Sequence, residues 1–277
     1  MRNTEFCLEG REGRELWGTL TVPGKILYPP IVMAHGALGF KDWSFFPWLA
    51  DFFAGEGFPV VRFNFSGSGM GGETDGPFRQ PQAFQDDTIS RQVEDLRDIV
   101  QCVTGGKLEP DLPAPDSVLF WGHSRGGAVC ILAAGTLPAV QGAATWATIS
   151  RVNRYLYDAK QAWRKQGFFA QESSRTGQVL RYSTTFLDDV EKWGREGDLP
   201  TYFHNLNIPV LLLHGSEDSS VPPEESESLA AVNAGAQLAI LAGANHKFNA
   251  SHPFTEPPPV LLEAARRTAE FYQSLQR

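Results

Sequence analysis

Cysteine is scarce. Three residues, Cys7, Cys102 and Cys130, occur in a chain of 277. Their spacing fits no metal-binding pattern and builds no disulfide framework, which excludes a small stapled scaffold and suits a reducing compartment. Basic runs are missing as well. Lys and Arg number 24 against 32 Asp and Glu, for a formal charge of −8 and a pI of about 5.3. A nucleic-acid binder would carry a basic face instead. Long apolar runs are also lacking. Stretches such as Ala128 to Ala134 fall far short of a bilayer span, and the opening MRNTEFCLEGREGRELWG has no apolar core of a secretory signal. No internal repeat or low-complexity linker occurs. These absences lead us to expect a soluble, cytoplasmic protein with neither nucleic acid nor membrane as partner.

The composition is that of an ordinary globular chain, with 42% hydrophobic and 20% charged residues, which argues against disorder. The 27 glycines and 19 prolines make it rich in turns. Its length fits one large α/β domain or two small ones. Residues 4–11 and 14–22 read as an N-terminal hairpin. Short apolar runs then alternate with helical patterns. Strands are predicted at Ile31–Ala34, Phe58–Phe65, Ser117–Trp121, Ala143–Ile149, Pro209–Leu213 and Leu238–Leu241. Helices are predicted at Pro47–Phe53, at 88–103 with Ile89, Val93, Leu96, Val100 and Val103 on one face, at Ala128–Leu137, and near the end with Leu262, Ala265, Ala269 and Tyr272. The strands are continuous apolar runs, the mark of a parallel sheet covered on both faces. The expected fold is a doubly wound, mostly parallel α/β sheet.

One region breaks the rhythm. Residues 151–205 show helix-like polarity, no strand run before Ile208, and seven Tyr, Trp or Phe within 155–186. They carry nine basic and seven acidic residues, whereas the remainder carries fifteen and twenty-five. This stretch reads as a helical insertion over the sheet. The core is then 1–150 plus 206–277.

The strongest chemical signal is Gly122-His123-Ser124-Arg125-Gly126-Gly127, a G-x-S-x-G between a strand and a helix. Such a turn lifts a serine hydroxyl to the C-terminal edge of a sheet, where the helix N-terminus points N–H groups at the same spot. A serine hydroxyl needs a base. Of six histidines, His123 lies inside the turn and is expected to point away from Ser124. His35 and His214 precede glycines at strand ends and read as structural. His204 and His252 have no distinguishing context. His246, in the loop after the last predicted strand, is the candidate base. The base needs an anion to orient it. Asp218, three after Gly215 and three before Val221, is the candidate; Glu217 is its rival, with Asp188 and Asp189 as outsiders. An oxyanion needs donors. The N–H of Arg125 is one, and Ala37 N–H, with Leu38 as fallback, is the other. The Arg125 side chain is expected in a structural ion pair. Gly67-Ser68-Gly69-Met70-Gly71-Gly72 matches a dinucleotide fingerprint, but Glu73 to Pro77 continue as loop where a phosphate-binding helix would have to start. No cofactor and no metal is expected.

Taken together, these residues resemble the α/β-hydrolase fold in its serine-hydrolase branch. The resemblance rests on the His35-Gly36 turn, the glycine loop at 66–72, the GHSRGG turn, the G-x-x-D-x-x-V-P stretch at 215–222 and the A-N-H of the last loop. It covers nearly the whole chain. The chain is similar to compact bacterial esterases and dienelactone-hydrolase-like enzymes with a small helical cap inserted after strand six, here 151–205. The resemblance implies a Ser124–His246–Asp218 triad with Ala37 and Arg125 as oxyanion donors. Three departures stand out. Ala37 replaces a larger apolar residue common in relatives, Ser66 stands where arginine is common, and the nucleophile is serine, not the cysteine of dienelactone hydrolases. The implied activity is cleavage of small or aromatic acyl esters. A proline-iminopeptidase-like peptidase or amidase is the alternative, and a non-catalytic binding module the remaining one. Leu38, Tyr155, Trp163, Phe169, Tyr182 and Phe186 are candidate pocket residues. Arg151, Arg154, Arg175 and Arg181 read as a solvated basic face, with attraction of an anionic or phenolic-acid substrate as the other possibility.

Overall fold

The computed structural model describes residues 1–109, 113–196 and 198–276. The chain opens with β1 (Arg2–Glu9) and β2 (Glu15–Val22), an antiparallel pair in register from Arg2↔Val22 to Glu9↔Glu15. Next come β3 (Ile31–Ala34), α1 (Phe46–Gly55), β4 (Val60–Phe63), α2 (Pro81–Gln85), α3 (Ile89–Thr104), β5 (Val118–His123), α4 (Arg125–Ala134) and β6 (Val140–Trp146). They are followed by α5 (Tyr157–Gln166), β7 (Phe168–Glu172), β8 (Val179–Ser183), α6 (Thr184–Arg195) and α7 (Asp198–His204). The chain finishes with β9 (Val210–Gly215), α8 (Glu224–Val232), β10 (Ala236–Leu241) and α9 (Pro259–Ser274). Eight strands form one sheet in the order β1-β2-β4-β3-β5-β6-β9-β10. β2 runs antiparallel to both its neighbours, and from β4 to β10 all neighbours are parallel.

The period-two alternation of a strand explains why these runs read as uniformly apolar. Ile31 and Met33 pack with Phe46, Leu49 and Phe53 of α1 and Ala265 and Tyr272 of α9. Val32 and Ala34 point the other way, to Leu96 and Ile99 of α3 and Val129 and Leu132 of α4. Helices cover both faces, so neither set of side chains is polar. β4 is shorter than the expected Phe58–Phe65. Pro59 has no N–H for the ladder, and at the other end Phe65 N–H turns to His35 Nε2 at 3.2 Å. β6 begins three residues before the expected start and ends before Ala147, whose φ is 51°. α4 starts at Arg125, three residues earlier than its apolar run suggests.

Segment 151–205 departs from expectation. The polarity of 151–205 predicts helices alone, but β7 and β8 form a hairpin, paired from Phe168↔Ser183 to Glu172↔Val179. Leu180 and Tyr182 are buried between exposed Val179 and Arg181, a strand pattern too short to stand out. Trp163, Leu180, Tyr182, Phe186, Leu187, Val190, Leu199 and Phe203 join the same apolar cluster as α3 and α4.

The glycine loop stays irregular from Asn64 until Pro81, as expected, so no helix follows its glycines directly. Ser66 donates to Asp95 through both its N–H and its Oγ, each at 2.8 Å from Oδ2. Asn64 links two loops: its Oδ1 accepts Lys41 N–H at 2.6 Å and its Nδ2 donates to Gly71 O at 2.8 Å. Among the described residues no helix is long and apolar enough to cross a membrane.

Asp95 is fully buried. Burial pushes its carboxyl up from 3.8 to about 7, against the pull of the Ser66 bonds, and nearby Asp87 adds to the rise. The folded state therefore holds a proton that the unfolded chain releases, so this group costs stability as pH rises through that window. Asp95→Asn removes the cost. Its melting temperature relative to the parent is expected to increase from the acid end of the window to the alkaline end; a difference flat in pH would contradict this.

Candidate active site

Strand β5 runs into Gly122 and His123, and the chain then reverses within one residue. Ser124 takes φ 55° and ψ −124°, and Arg125 already belongs to α4. Two glycines allow this turn. A Cβ on Gly122 would lie 2.6 Å from Gly126 O and Gly127 Cα, and one on Gly126 would lie 2.4 Å from Ala34 O. Ser124 N–H donates to Trp146 O at 2.8 Å, and Ser124 O accepts Gly127 N–H at 3.0 Å. Arg125 N–H, at the helix N-terminus, has no protein acceptor among the described residues.

Asp218 lies three residues past the end of β9, with its side chain wholly buried. Oδ1 accepts the N–H groups of Ser220 and Val221, both at 2.9 Å. Oδ2 accepts His246 Nδ1–H at 2.7 Å and faces His214 Nε2 at 3.3 Å. Burial alone would raise this carboxyl, but the bonds from His214, His246 and Val221 outweigh it and hold Asp218 well below the usual carboxylate range. The rival Glu217 is exposed. Asp188 pairs with Arg164, and Asp189 accepts Ser90 N–H at 2.9 Å. Asp218 alone of the four meets His246.

Three other histidines scaffold this arrangement. His123 Nε2–H donates to the backbone O of His246 at 2.8 Å, which joins the turn to the histidine loop. Burial drives His123 down to about 3, so its ring is neutral. His35 donates from Nδ1 to Gly36 O at 2.9 Å and accepts Phe65 N–H at Nε2; burial lowers it to about 4. His214, read from sequence as merely structural, sits on Asp218, with Nδ1 paired to Ser226 Oγ at 2.7 Å and Nε2 donating to Val221 O at 2.8 Å. A histidine-glycine pair at a strand end signalled the position of His214 but not its partner, because β9 and the following loop had to be folded first. His204 pairs with Val232 O, and His252 accepts Ser44 N–H.

The turn after β3 closes through Gly39 N–H to Gly36 O at 3.1 Å, with Leu38 at φ 57°. Neither Ala37 nor Leu38 gives its N–H to a protein acceptor among the described residues. A cavity of about 600 Å³ brings together Ser124, His246, Ala37, Leu38 and Arg125. No hydrogen bond joins Ser124 Oγ to His246 among the described residues, a contact that in unliganded sites often tightens only in the complex. Tyr155, Phe169, Tyr182 and Phe186 line the cavity.

Two expectations are corrected. Trp163 does not line the cavity; it is buried behind it, donating Nε1–H to Tyr182 O at 3.1 Å and packing on Tyr155 and Phe169. The Arg125 side chain makes no ion pair among the described residues and instead faces the cavity, Nη1 donating to Tyr182 Oη at 3.3 Å. The reason is distance: buried Asp87, whose charge acts on Arg125, is bonded to Gln92 at 2.5 Å and lies outside ion-pair reach of the guanidinium. Of Arg151, Arg154, Arg175 and Arg181, Arg154 and Arg175 line the cavity while paired to Glu225 and Asp75. Arg151 is exposed, and Arg181 stacks over Phe168 at 4.3 Å. Among the described residues no three His, Cys, Asp or Glu gather in a way that could hold a metal ion.

Residues 31–263 match the model of the alpha/beta hydrolase family. The chain belongs to that family. This hydrolase has no match by sequence among curated proteins. Among solved structures it is similar to Est1E from Butyrivibrio proteoclasticus, bound to ferulic acid, at 17% identity and TM-score 0.74 over 98% of each chain. It is also similar to a dienelactone hydrolase from Anabaena variabilis, at 16% identity and TM-score 0.65 over 99% of each chain. A puromycin-hydrolyzing peptidase from Mycobacterium tuberculosis aligns at 20% identity and TM-score 0.68, over 99% of this chain and 39% of that one.

The turn geometry yields a stability test. Gly126→Ala places a methyl against Ala34 O and His35 O, backbone atoms that cannot swing aside. A loss of about 1–3 kcal/mol is expected, the usual cost of overpacking, measured by denaturant unfolding. Unchanged stability would show that the turn has slack.

Proposed function

We propose that this hydrolase cleaves carboxylic esters of small or aromatic acyl groups, using Ser124, His246 and Asp218. Ser124 Oγ attacks the ester carbonyl while His246 Nε2 takes its proton. Asp218 fixes the ring through Nδ1–H and stabilises the imidazolium that forms. The N–H of Arg125 and that of Ala37, with Leu38 as its neighbour in the same turn, hold the oxyanion; such a donor is worth about 3 kcal/mol. His246 then hands the proton to the departing alcohol. Water enters, His246 acts as base again, and the acyl-enzyme is hydrolysed.

The observation that carries this reading is the 2.7 Å bond from His246 Nδ1 to buried Asp218 Oδ2, with His246 lining the same cavity as Ser124. That bond leaves Nε2 as the ring's basic atom. Six aromatic rings on the cavity wall, Trp43, Phe46, Tyr155, Phe169, Tyr182 and Phe186, and its volume of about 600 Å³ suit a compact acyl group. Segment 151–205 supplies the last four, and on this reading it serves as the cap. Among the described residues no Asp or Glu lines the cavity, whereas an aminopeptidase needs acids to hold the substrate's amino group. This favours the ester over the peptidase reading.

Ser124→Ala is expected to abolish turnover of a short-chain p-nitrophenyl ester while the melting temperature stays close to that of the parent. Asp218→Asn should lower kcat by about 10⁴-fold. Near-parental turnover in Ser124→Ala would refute the assignment. An aminoacyl anilide cleaved faster than the aryl ester would move the activity to the peptidase class.

A further inference from the structure

The cavity is charged with one sign. Arg125, Arg154, Arg175 and Lys247 line it, and among the described residues no carboxylate does. Two of the four are already neutralised, Arg154 by Glu225 at 2.9 Å and Arg175 by Asp75 at 3.1 Å. Arg125 and Lys247 make no contact ion pair among the described residues, and buried Asp87 acts on Arg125 only from beyond that distance. The Arg125 guanidinium lies 5.6 Å from the ring centroids of both Tyr182 and Phe186. It presents five N–H donors, and its bond to Tyr182 uses one of them. Holding a cation in an aromatic wall without a carboxylate in contact is costly. That cost is offset when a ligand brings the missing charge.

The fork of a guanidinium matches a carboxylate with two parallel bonds. The position of Arg125 says which part of the ligand carries it. On the ester-hydrolase reading above, which this inference rests on, the alcohol leaves from the side of His246. The guanidinium lies among Tyr182 and Phe186, rings that the same reading gives to the acyl group. Apolar Ile89, Ile149 and Val152 complete the lining on hand for a hydrocarbon spacer. We propose that the acyl group carries a second, free carboxylate bound by Arg125, so that the substrate is a monoester of a dicarboxylic acid. Lys247, next to His246, adds long-range attraction for such an anion.

Phenyl hydrogen glutarate and phenyl hexanoate, of nearly equal length, differ in that charge. The parent should favour the glutarate ester by about tenfold or more in kcat/KM, the scale of a charge-assisted bond. In Arg125→Met that ratio should fall by about the same factor, and Arg125→Lys, which keeps the charge but loses the fork, should lie between. The ratio is the readout because the backbone N–H at 125 persists in each variant. Ser124-dependent hydrolysis of both esters with an unchanged ratio in Arg125→Met overturns the inference and leaves the ester reading standing. If neither ester is cleaved, the ester reading fails, and calorimetry with glutarate decides the anion site separately. Glutarate binding weakened about tenfold in Arg125→Met supports it; equal binding to both proteins, or to neither, overturns it. If Arg125→Met does not fold, Arg125→Lys carries the same two measurements.

Discussion

A reversal from strand to helix within a single residue is the constraint on which the site depends. Ser124 sits at φ 55°, a conformation that costs a serine of order 1–3 kcal/mol. The surroundings impose it. β5 is held between β3 and β6 on both edges, and α4 packs so closely that Gly126 rests on the backbone of Ala34 and His35. Trp121 and Trp146, both wholly buried, brace the two strands from the other face. The strain is therefore supported by the centre of the core, where the chain has least freedom to relax.

Charge is arranged on opposite sides of this turn. Beyond β9, one carboxylate with four donors is kept strongly acidic. Behind the glycine loop, Asp87 and Asp95 are buried and pushed upward, to about 6 and about 7. The physical difference is the number of donors each acid meets. Asp218 has both oxygens saturated by N–H groups, whereas one oxygen of Asp87 has no partner. Burial is common to all three, and hydrogen bonding decides the sign.

Much of this was legible in the sequence because it lies in short, contiguous signals. The apolar runs gave the parallel sheet, since both faces of each strand are covered. The G-x-S-x-G context placed Ser124, and the order Ser124, Asp218, His246 followed the chain. What was not legible depends on contacts between distant segments. Nothing in Leu213-His214-Gly215 says that the imidazole will touch an acid four residues later while also bonding Ser226. The β7–β8 hairpin escaped because five-residue strands carrying Gln, Glu and Arg look like amphipathic helix. Trp163 was placed on the cavity wall by composition alone, and depth within a cluster cannot be read from composition. The free guanidinium of Arg125 was missed for a related reason: which groups come within its reach is set by distant segments, and it meets Tyr182 rather than an acid.

The bond from His123 to the backbone of residue 246 makes one mechanical body of the serine turn and the imidazole loop. Most loops that carry reactive groups loosen before the rest of a protein melts. Here the loop is anchored to the most constrained point of the sheet, so loosening it requires disturbing β5 itself. The position of the His246 ring is thereby coupled to the strand end that carries Ser124.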